Sequence, residues 1–241
     1  FSPIRRQGAK RALDALIKDG RIHPARIEES VQDAKKSLAK DLRKEGEDAL
    51  YKLGIPVSSI DPKLTSILGR MKYRTSYGQN ALQHSIEVGI IAGAIAEELG
   101  ANVSVCKKGG LLHDIGKAVD HEVQGTHVEI GRRILQKFKV NDAVVQAMQS
   151  HHEEYPYETI ESKLVQTADA ISGGRPGARR DTLERYIERL TELEAIAGGF
   201  DGVDKAFAVS ATYMMLFAVV YIGLPEMLMR PYQPDVITPD F

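Results

Sequence analysis

The segment Leu111-Leu112-His113-Asp114-Ile115-Gly116-Lys117 decides how the chain is read. An apolar run delivers two adjacent side chains of metal-ligand type, and a glycine then ends the helix and turns a lysine back toward the same point. A His-Asp pair arises often by chance, so its weight depends on what the flanking sequence brings to it. Upstream, His84 stands in helical register with Val88, Ile91, Ile95 and Leu99, on the face that packs inward. Downstream, Asp169 follows Val165 by four residues inside the apolar segment 164–171, where an ionised carboxylate is costly unless paired, hydrogen-bonded or coordinated. Taken in order, His84, His113-Asp114 with Gly116-Lys117, and Asp169 put two neutral imidazoles and two carboxylates within reach of one cation. That donor set suits Mn, Fe, Zn or Ni.

Most of the remaining chain reads as helix. Residues 6–18 carry apolar positions at helical spacing and stop at Asp19-Gly20. Pro24 suits the first turn of a second, highly charged helix that runs to about Leu53 and ends at Gly54. Its thin stripe of Ile27, Val31, Ala34, Leu38, Leu42 and Leu50 reads as one packed face, or else as a dimer contact or a spacer to an upstream domain. Asp61-Pro62 opens a short helix through Leu68, and a long helix is expected from Ser76 to Leu99, stopped by Gly100. Further helices are expected near 103–113, 127–138, 141–152, 160–172 and 182–197. Strand-like alternation is scarce before Phe207; from there to Ile222 the chain reads as a strand, a hairpin or a buried helix, followed by a proline-rich end. The expected class is mainly α, with residues 1–71 an N-terminal helical segment, 72–200 a catalytic domain and 201–241 a C-terminal segment.

Composition narrows the setting. The 43% hydrophobic and 27% charged residues are an ordinary globular balance. A single cysteine, Cys106, excludes an internal disulfide and reads as a small buried hydrophobe. With 32 Lys plus Arg against 33 Asp plus Glu, the net charge of -1 gives no overall pull toward nucleic acid, so any such contact needs a local basic patch. The longest apolar stretch, Tyr213 to Leu224, is too short to span a membrane, and no membrane contact by this piece is expected.

The ordered ligand set resembles the HD superfamily of metal-dependent phosphohydrolases, in its HDIG branch. That resemblance implies a helical bundle in which His84, His113, Asp114 and Asp169 bind a first divalent ion, with Mg a further option to the metals above. In two-metal members the motif aspartate bridges and later histidines hold the second ion. Here the candidates are His127 and either His151 or His152, which helical phase does not separate; by likeness to relatives His151 is the ligand and His152 sits behind it or at the substrate. His121 is expected at the outer rim.

A narrower resemblance, to the ribonuclease Y family, covers residues 1 to about 211. It rests on DGRIHPARIEE (19–29), KYRTSYGQNALQHSIEV (72–88), GLLHDIGKAVDHE (110–122), ADAISGGRPGARR (168–180) and FDGVDKAFAV (200–209). It implies a cytoplasmic endoribonuclease acting on single-stranded RNA in mRNA decay, a homodimer, other RNA-decay proteins as further partners, and a parent tethered to the inner face of the membrane. Phe1 to Arg6 reads as the junction after a KH domain, so a catalytic fragment is expected, whereas the last thirty residues do not follow the family. The turn-rich loop 174–180 follows Asp169 and places Arg175, Arg179 and Arg180 where guanidinium forks grip phosphates. Arg74, Tyr77, Gln79 and Asn80 either border the cleft or cap the helix that bears His84.

The implied reaction is hydrolysis by water held between two cations roughly 3.5–4 Å apart and bridged by Asp114. Lys117 offsets charge on the phosphate or forms a structural ion pair, and the products carry 5′-phosphate and 3′-hydroxyl ends. The alternatives are a phosphohydrolase of nucleotides or cyclic dinucleotides, and a non-catalytic HD scaffold.

Overall fold

The computed structural model describes residues 2–76, 78–175 and 183–199, almost all in helices. It divides into two compact units, one ending at Gly173 and the other containing Gly174, Arg175 and the last described helix.

The first unit opens with α1 (Pro3–Asp19) and α2 (Pro24–Lys52), joined by a turn at Gly20 whose φ of 73° closes the first helix. Each begins with proline at the first turn behind a side-chain cap, Ser2 for α1 and His23 for α2. The α2 stripe is a packed face: Ala34, Leu38, Leu42, Ala49 and Leu50 are buried, while Ile27 at its start is exposed. Arg11 on α1 bonds Asp41 on α2 at 2.6 Å, a partly solvent-exposed pair worth about 1 kcal/mol or less.

α3 (Pro62–Arg70), capped by Asp61, lies directly on α2. A Cβ at Gly69 would come within 1.8 Å of the Leu42 carbonyl oxygen, so the two helices touch backbone to backbone only because residue 69 has no side chain.

A two-stranded hairpin follows, β1 (Thr75–Ser76) paired antiparallel with β2 (Gln79–Asn80) around Gly78 at φ 86°. The expected helix from Ser76 therefore starts later, as α4 (Ala81–Glu98), with Asn80 as its cap accepting from the Gln83 amide at 3.1 Å. The turn residues divert the chain into the hairpin before a helix can form.

The rest of the first unit is α5 (Val103–Leu112), a 3-10 turn (Ile115–Ala118), α6 (His127–Lys137), α7 (Asp142–Gln149) and α8 (Ile160–Gly174) up to Gly173. α7 stops at Gln149 and not at residue 152 as expected, so His151 and His152 lie in the turn beyond it.

α4 is the hub. Its Leu82 and Ile86 join Leu50, Leu64, Leu68, Leu111, Leu112 and Met148 in one apolar cluster. Its Val88, Ala92 and Ala96 join Cys106, Ala147, Leu164, Val165 and Ala168 in a second. Of the register read from His84, Val88 is buried and Leu99, past the last turn, is exposed. Cys106 is buried as expected, and burial pushes its thiol up to about 12, beyond reach of thiolate chemistry at neutral pH.

In the second unit, α9 (Leu183–Gly198) matches the helix expected near 182–197. The segment from Phe200 on, with its strand, hairpin or helix alternatives, lies outside the described residues.

The contact of α2 with α3 gives a stability test. Gly69→Ala should cost about 1–3 kcal/mol by forcing the helices apart, read as a lower urea midpoint with unchanged slope; an unchanged midpoint would show that the two backbones do not meet there.

Candidate metal centre

Six separate elements deliver the polar side chains that sequence analysis singled out. His84 comes from the first turn of α4, and His113 and Asp114 from the end of α5. Lys117 sits on the 3-10 turn and His127 at the N-terminus of α6, behind a Thr126 cap that accepts from the Glu129 amide at 3.2 Å. His151 follows α7, and Asp169 lies on α8. Gly116 has a use beyond turning the chain: a Cβ there would lie 1.9 Å from the His127 carbonyl oxygen, so the glycine lets α6 approach close enough to bring His127 to Asp114.

These side chains converge. His84 Nε2 lies 2.9 Å from Asp169 Oδ1, and His113 Nε2 lies 3.7 Å from the same oxygen and 3.4 Å from Asp114 Oδ2. The other oxygen, Asp114 Oδ1, faces His127 Nε2 at 3.5 Å and His151 Nε2 at 3.9 Å. Lys117 Nζ donates to Asp114 Oδ2 at 2.7 Å, so an ion pair to the aspartate and a position at the cleft coexist. Among the described residues, three groups have ligand atoms mutually within 4.8 Å: His84, His113 and Asp169; His113, Asp114 and His151; and His127, His151 and His152. Asp114, touched by four of these side chains, sits between the other two groups.

The donor chemistry fits a divalent cation. His113 Nδ1 bonds the Gly110 carbonyl at 2.7 Å, and His151 Nδ1 bonds the Met148 carbonyl. A carbonyl can only accept, so Nδ1 carries a proton in both rings and Nε2 is the nitrogen left to meet a cation, with its lone pair free in His151 and exposed in His113 once a second proton leaves. His113 Nε2, His127 Nε2, His151 Nε2 and Asp114 Oδ1 are all buried without a hydrogen-bond partner. An unsatisfied buried polar atom costs about 1–3 kcal/mol, and four facing one another are a coherent set that one or two shared cations satisfy.

The electrostatics agree. Burial disfavours the charged form of His113, but the Asp114 and Asp169 carboxylates outweigh it and raise the ring to about 9. Burial likewise opposes ionisation of Asp114, yet His113 and Lys117 hold it well below the usual carboxylate range. Burial pushes His151 down to about 3 and also lowers His127, so both rings are neutral.

A cleft of about 410 Å³ opens onto the group, lined by Ser76, Gln79, Ala81, His84, Asp114, Lys117, His127, His152 and Asp169. A larger hollow of about 610 Å³ beside Tyr51 and Gln83 holds no histidine, so the chemistry belongs to the smaller one. His151 is buried and His152 exposed at the cleft wall. Of the hairpin residues, Gln79 borders the cleft, Asn80 caps α4, Arg74 bonds Asp120 at 2.7 Å, and Tyr77 lies outside the described residues. His121 is away from the cluster, 3.5 Å from Asp120 and 3.4 Å from Glu122. Arg175 is exposed in the second unit, while Arg179 and Arg180 lie outside the described residues. Sequence reasoning missed Ser172 and Glu87, which bond each other at 2.9 Å; the available signal was that each stands three residues after a candidate ligand on its own helix.

A cation that takes His113 Nε2 must displace its proton. Because the raised value of about 9 leaves the ring protonated at pH 7, affinity is penalised at low pH and the penalty vanishes as pH rises through that value. The Kd for Mn(II) should therefore fall about tenfold per pH unit from 6 to 8 and level off near 9. Calorimetry in buffers of different ionisation heat should detect the released proton; a pH-independent Kd without release contradicts ligation through His113.

The HD domain family matches residues 81–174, which bracket the cluster from His84 to Asp169. Over 211 residues, 88% of the chain, the sequence is 58% identical to ribonuclease Y of Alkaliphilus metalliredigens, covering 44% of that protein. It is 56% identical to ribonuclease Y of Symbiobacterium thermophilum, covering 40% of it, and 55% identical to that of Thermoanaerobacter pseudethanolicus, covering 41%. The chain thus spans less than half the length of these curated relatives. No solved structure matches it. No helix among the described residues is long and apolar enough to cross a membrane.

Proposed function

We propose that this chain, an HD-domain relative of ribonuclease Y, is a divalent-metal-dependent endoribonuclease that hydrolyses phosphodiester bonds of single-stranded RNA in mRNA decay. The observation that carries the reading is the convergence of buried, unpartnered imidazole nitrogens on one carboxylate at the floor of an open cleft. The relatives' name supplies the substrate class.

His84, His113, Asp114 and Asp169 would hold one ion, and Asp114, His127 and His151 a second; Mn, Fe, Zn, Ni or Mg are the candidates. When bound, such ions bring water to a reactive pKa near neutrality and offset charge developing on phosphate. The chain's own contributions follow from the geometry. Asp114 offers its two oxygens to different histidine sets, 3.4 Å on one side and 3.5 Å on the other, and so can tie the two halves together. The carbonyls of Gly110 and Met148 orient the rings before substrate arrives, which removes reorganisation from the reaction. Lys117, held by Asp114 at the cleft wall, gives the phosphate a cation. His152 is the exposed imidazole best placed to hand a proton to the leaving oxygen. Arg175, Arg179 and Arg180 are the proposed grips for neighbouring phosphates. Homodimerisation, cooperation with other RNA-decay proteins and a cytoplasmic location extend the same proposal.

Because water and not the RNA's own 2′-hydroxyl is the nucleophile, cleavage of a 5′-monophosphorylated single-stranded RNA should leave 5′-phosphate and 3′-hydroxyl ends. A single 2′-deoxy substitution at the cut site should be tolerated. End-group mapping that finds cyclic phosphates, or turnover of cyclic dinucleotides in preference to RNA, would overturn the reading. Asp114→Asn should abolish cleavage and weaken metal binding while circular dichroism stays helical; turnover at the unsubstituted rate with unchanged metal content contradicts the role given to Asp114.

A further inference from the structure

His84 differs from His113 and His151 in how its ring is held. Those two rings lean on backbone carbonyls, whereas His84 Nδ1 lies 2.9 Å from the hydroxyl of Ser172. Ser172 is fully buried on α8, and its Oγ also lies 2.9 Å from Glu87 Oε2 on α4. The arrangement is a two-rung ladder between helices. His84 meets Asp169 on one rung, and Glu87 meets Ser172 one turn further along. Gln79 of the hairpin reaches the same Glu87 oxygen at 3.5 Å.

A serine hydroxyl has one proton to give. An ionised carboxylate can only accept, so the proton of Ser172 goes to Glu87 and the hydroxyl oxygen is left to accept from His84 Nδ1–H. A neutral His84 then has no proton on Nε2, which faces Asp169 Oδ1 at 2.9 Å. Two acceptors at that separation repel unless a cation lies between them or the ring is doubly protonated. Removing Glu87 reverses the logic. The Ser172 hydroxyl becomes free to donate to Nδ1, the proton moves to Nε2, and Nε2–H bonds Asp169, closing the pair on itself.

We propose that Glu87 and Ser172 are positioning residues that fix His84 as the Nδ1–H tautomer and thereby set the affinity of the His84–His113–Asp169 group for its cation. The inference rests on the metal reading above and adds residues to it that touch neither the ion nor the RNA.

Mn(II) binding to the full chain, measured by calorimetry, and the imidazole nitrogen shifts of His84 in the metal-free protein test it together. Glu87→Ala should weaken one Mn(II) binding step about 10–100-fold, the range for partners behind a metal-bound histidine, and should move the His84 proton from Nδ1 to Nε2. Ser172→Ala should weaken binding less, since no hydroxyl remains to enforce the wrong tautomer, and the double variant should match Ser172→Ala. Ser162→Ala removes an equally buried hydroxyl from the same helix, one that bonds the Gln146 carbonyl at 3.0 Å, and should leave Mn(II) binding unchanged. The proposal is overturned if Glu87→Ala binds Mn(II) within about twofold of the unsubstituted chain, or if the His84 tautomer does not move. An unsubstituted chain that binds no Mn(II) sinks the metal reading itself, which is a separate outcome.

Discussion

A carboxylate that is almost wholly buried is the constraint around which this unit is built. Asp114 has given up its hydration, and an ionised group in that position persists only if the protein returns comparable interactions. Lys117 supplies one, a hydrogen-bonded ion pair to Oδ2. The other oxygen, Oδ1, faces the Nε2 atoms of His127 and His151, and the Met148 carbonyl holds the His151 proton on Nδ1, so that Nε2 has none to offer. The interaction that resolves the conflict is with a cation, to which carboxylate and imidazole lone pairs are all attracted. The donor set of this interior is thus one that suits a divalent cation.

Bringing that many acceptors together requires helices that approach more closely than ordinary side chains allow. α4 passes through both apolar clusters, and its burial on several sides fixes His84 and Glu87 with little freedom. At Gly116 the 3-10 turn and the start of α6 lie in backbone contact, which is what delivers His127. The buried leucines of α2, α3 and α5, each contributing about 2 kcal/mol, supply apolar stabilisation against the cost of gathering these polar groups. The N-terminal helices are thereby energetically relevant to a site they do not touch.

The sequence was legible where local and tertiary demands coincide. Ser2, Asp61 and Thr126 cap helices and prolines open them, so most helix positions follow from local chemistry. His84, His113, Asp114 and Asp169 stood out because polar residues on apolar faces are costly, and the structure brings all four together. What escaped was decided by packing. Hairpin strands of two residues are too short to show alternation, so the start of α4 was misjudged by five residues. The histidine pair after α7 was indistinguishable by helical phase because neither residue is helical; burial alone separates His151 from His152. Gly116 reads in sequence as a helix stop, whereas α5 ends at Leu112 and the glycine serves a close approach.

Anomalous diffraction from crystals soaked in Mn(II) tests the central claim most directly. The account predicts density within coordination distance of His84 Nε2, His113 Nε2 and an Asp169 oxygen, with a second peak between Asp114 Oδ1, His127 and His151 as occupancy rises. Ions found only at surface carboxylates, with His113 and His151 still facing Asp114 and no metal among them, would contradict it.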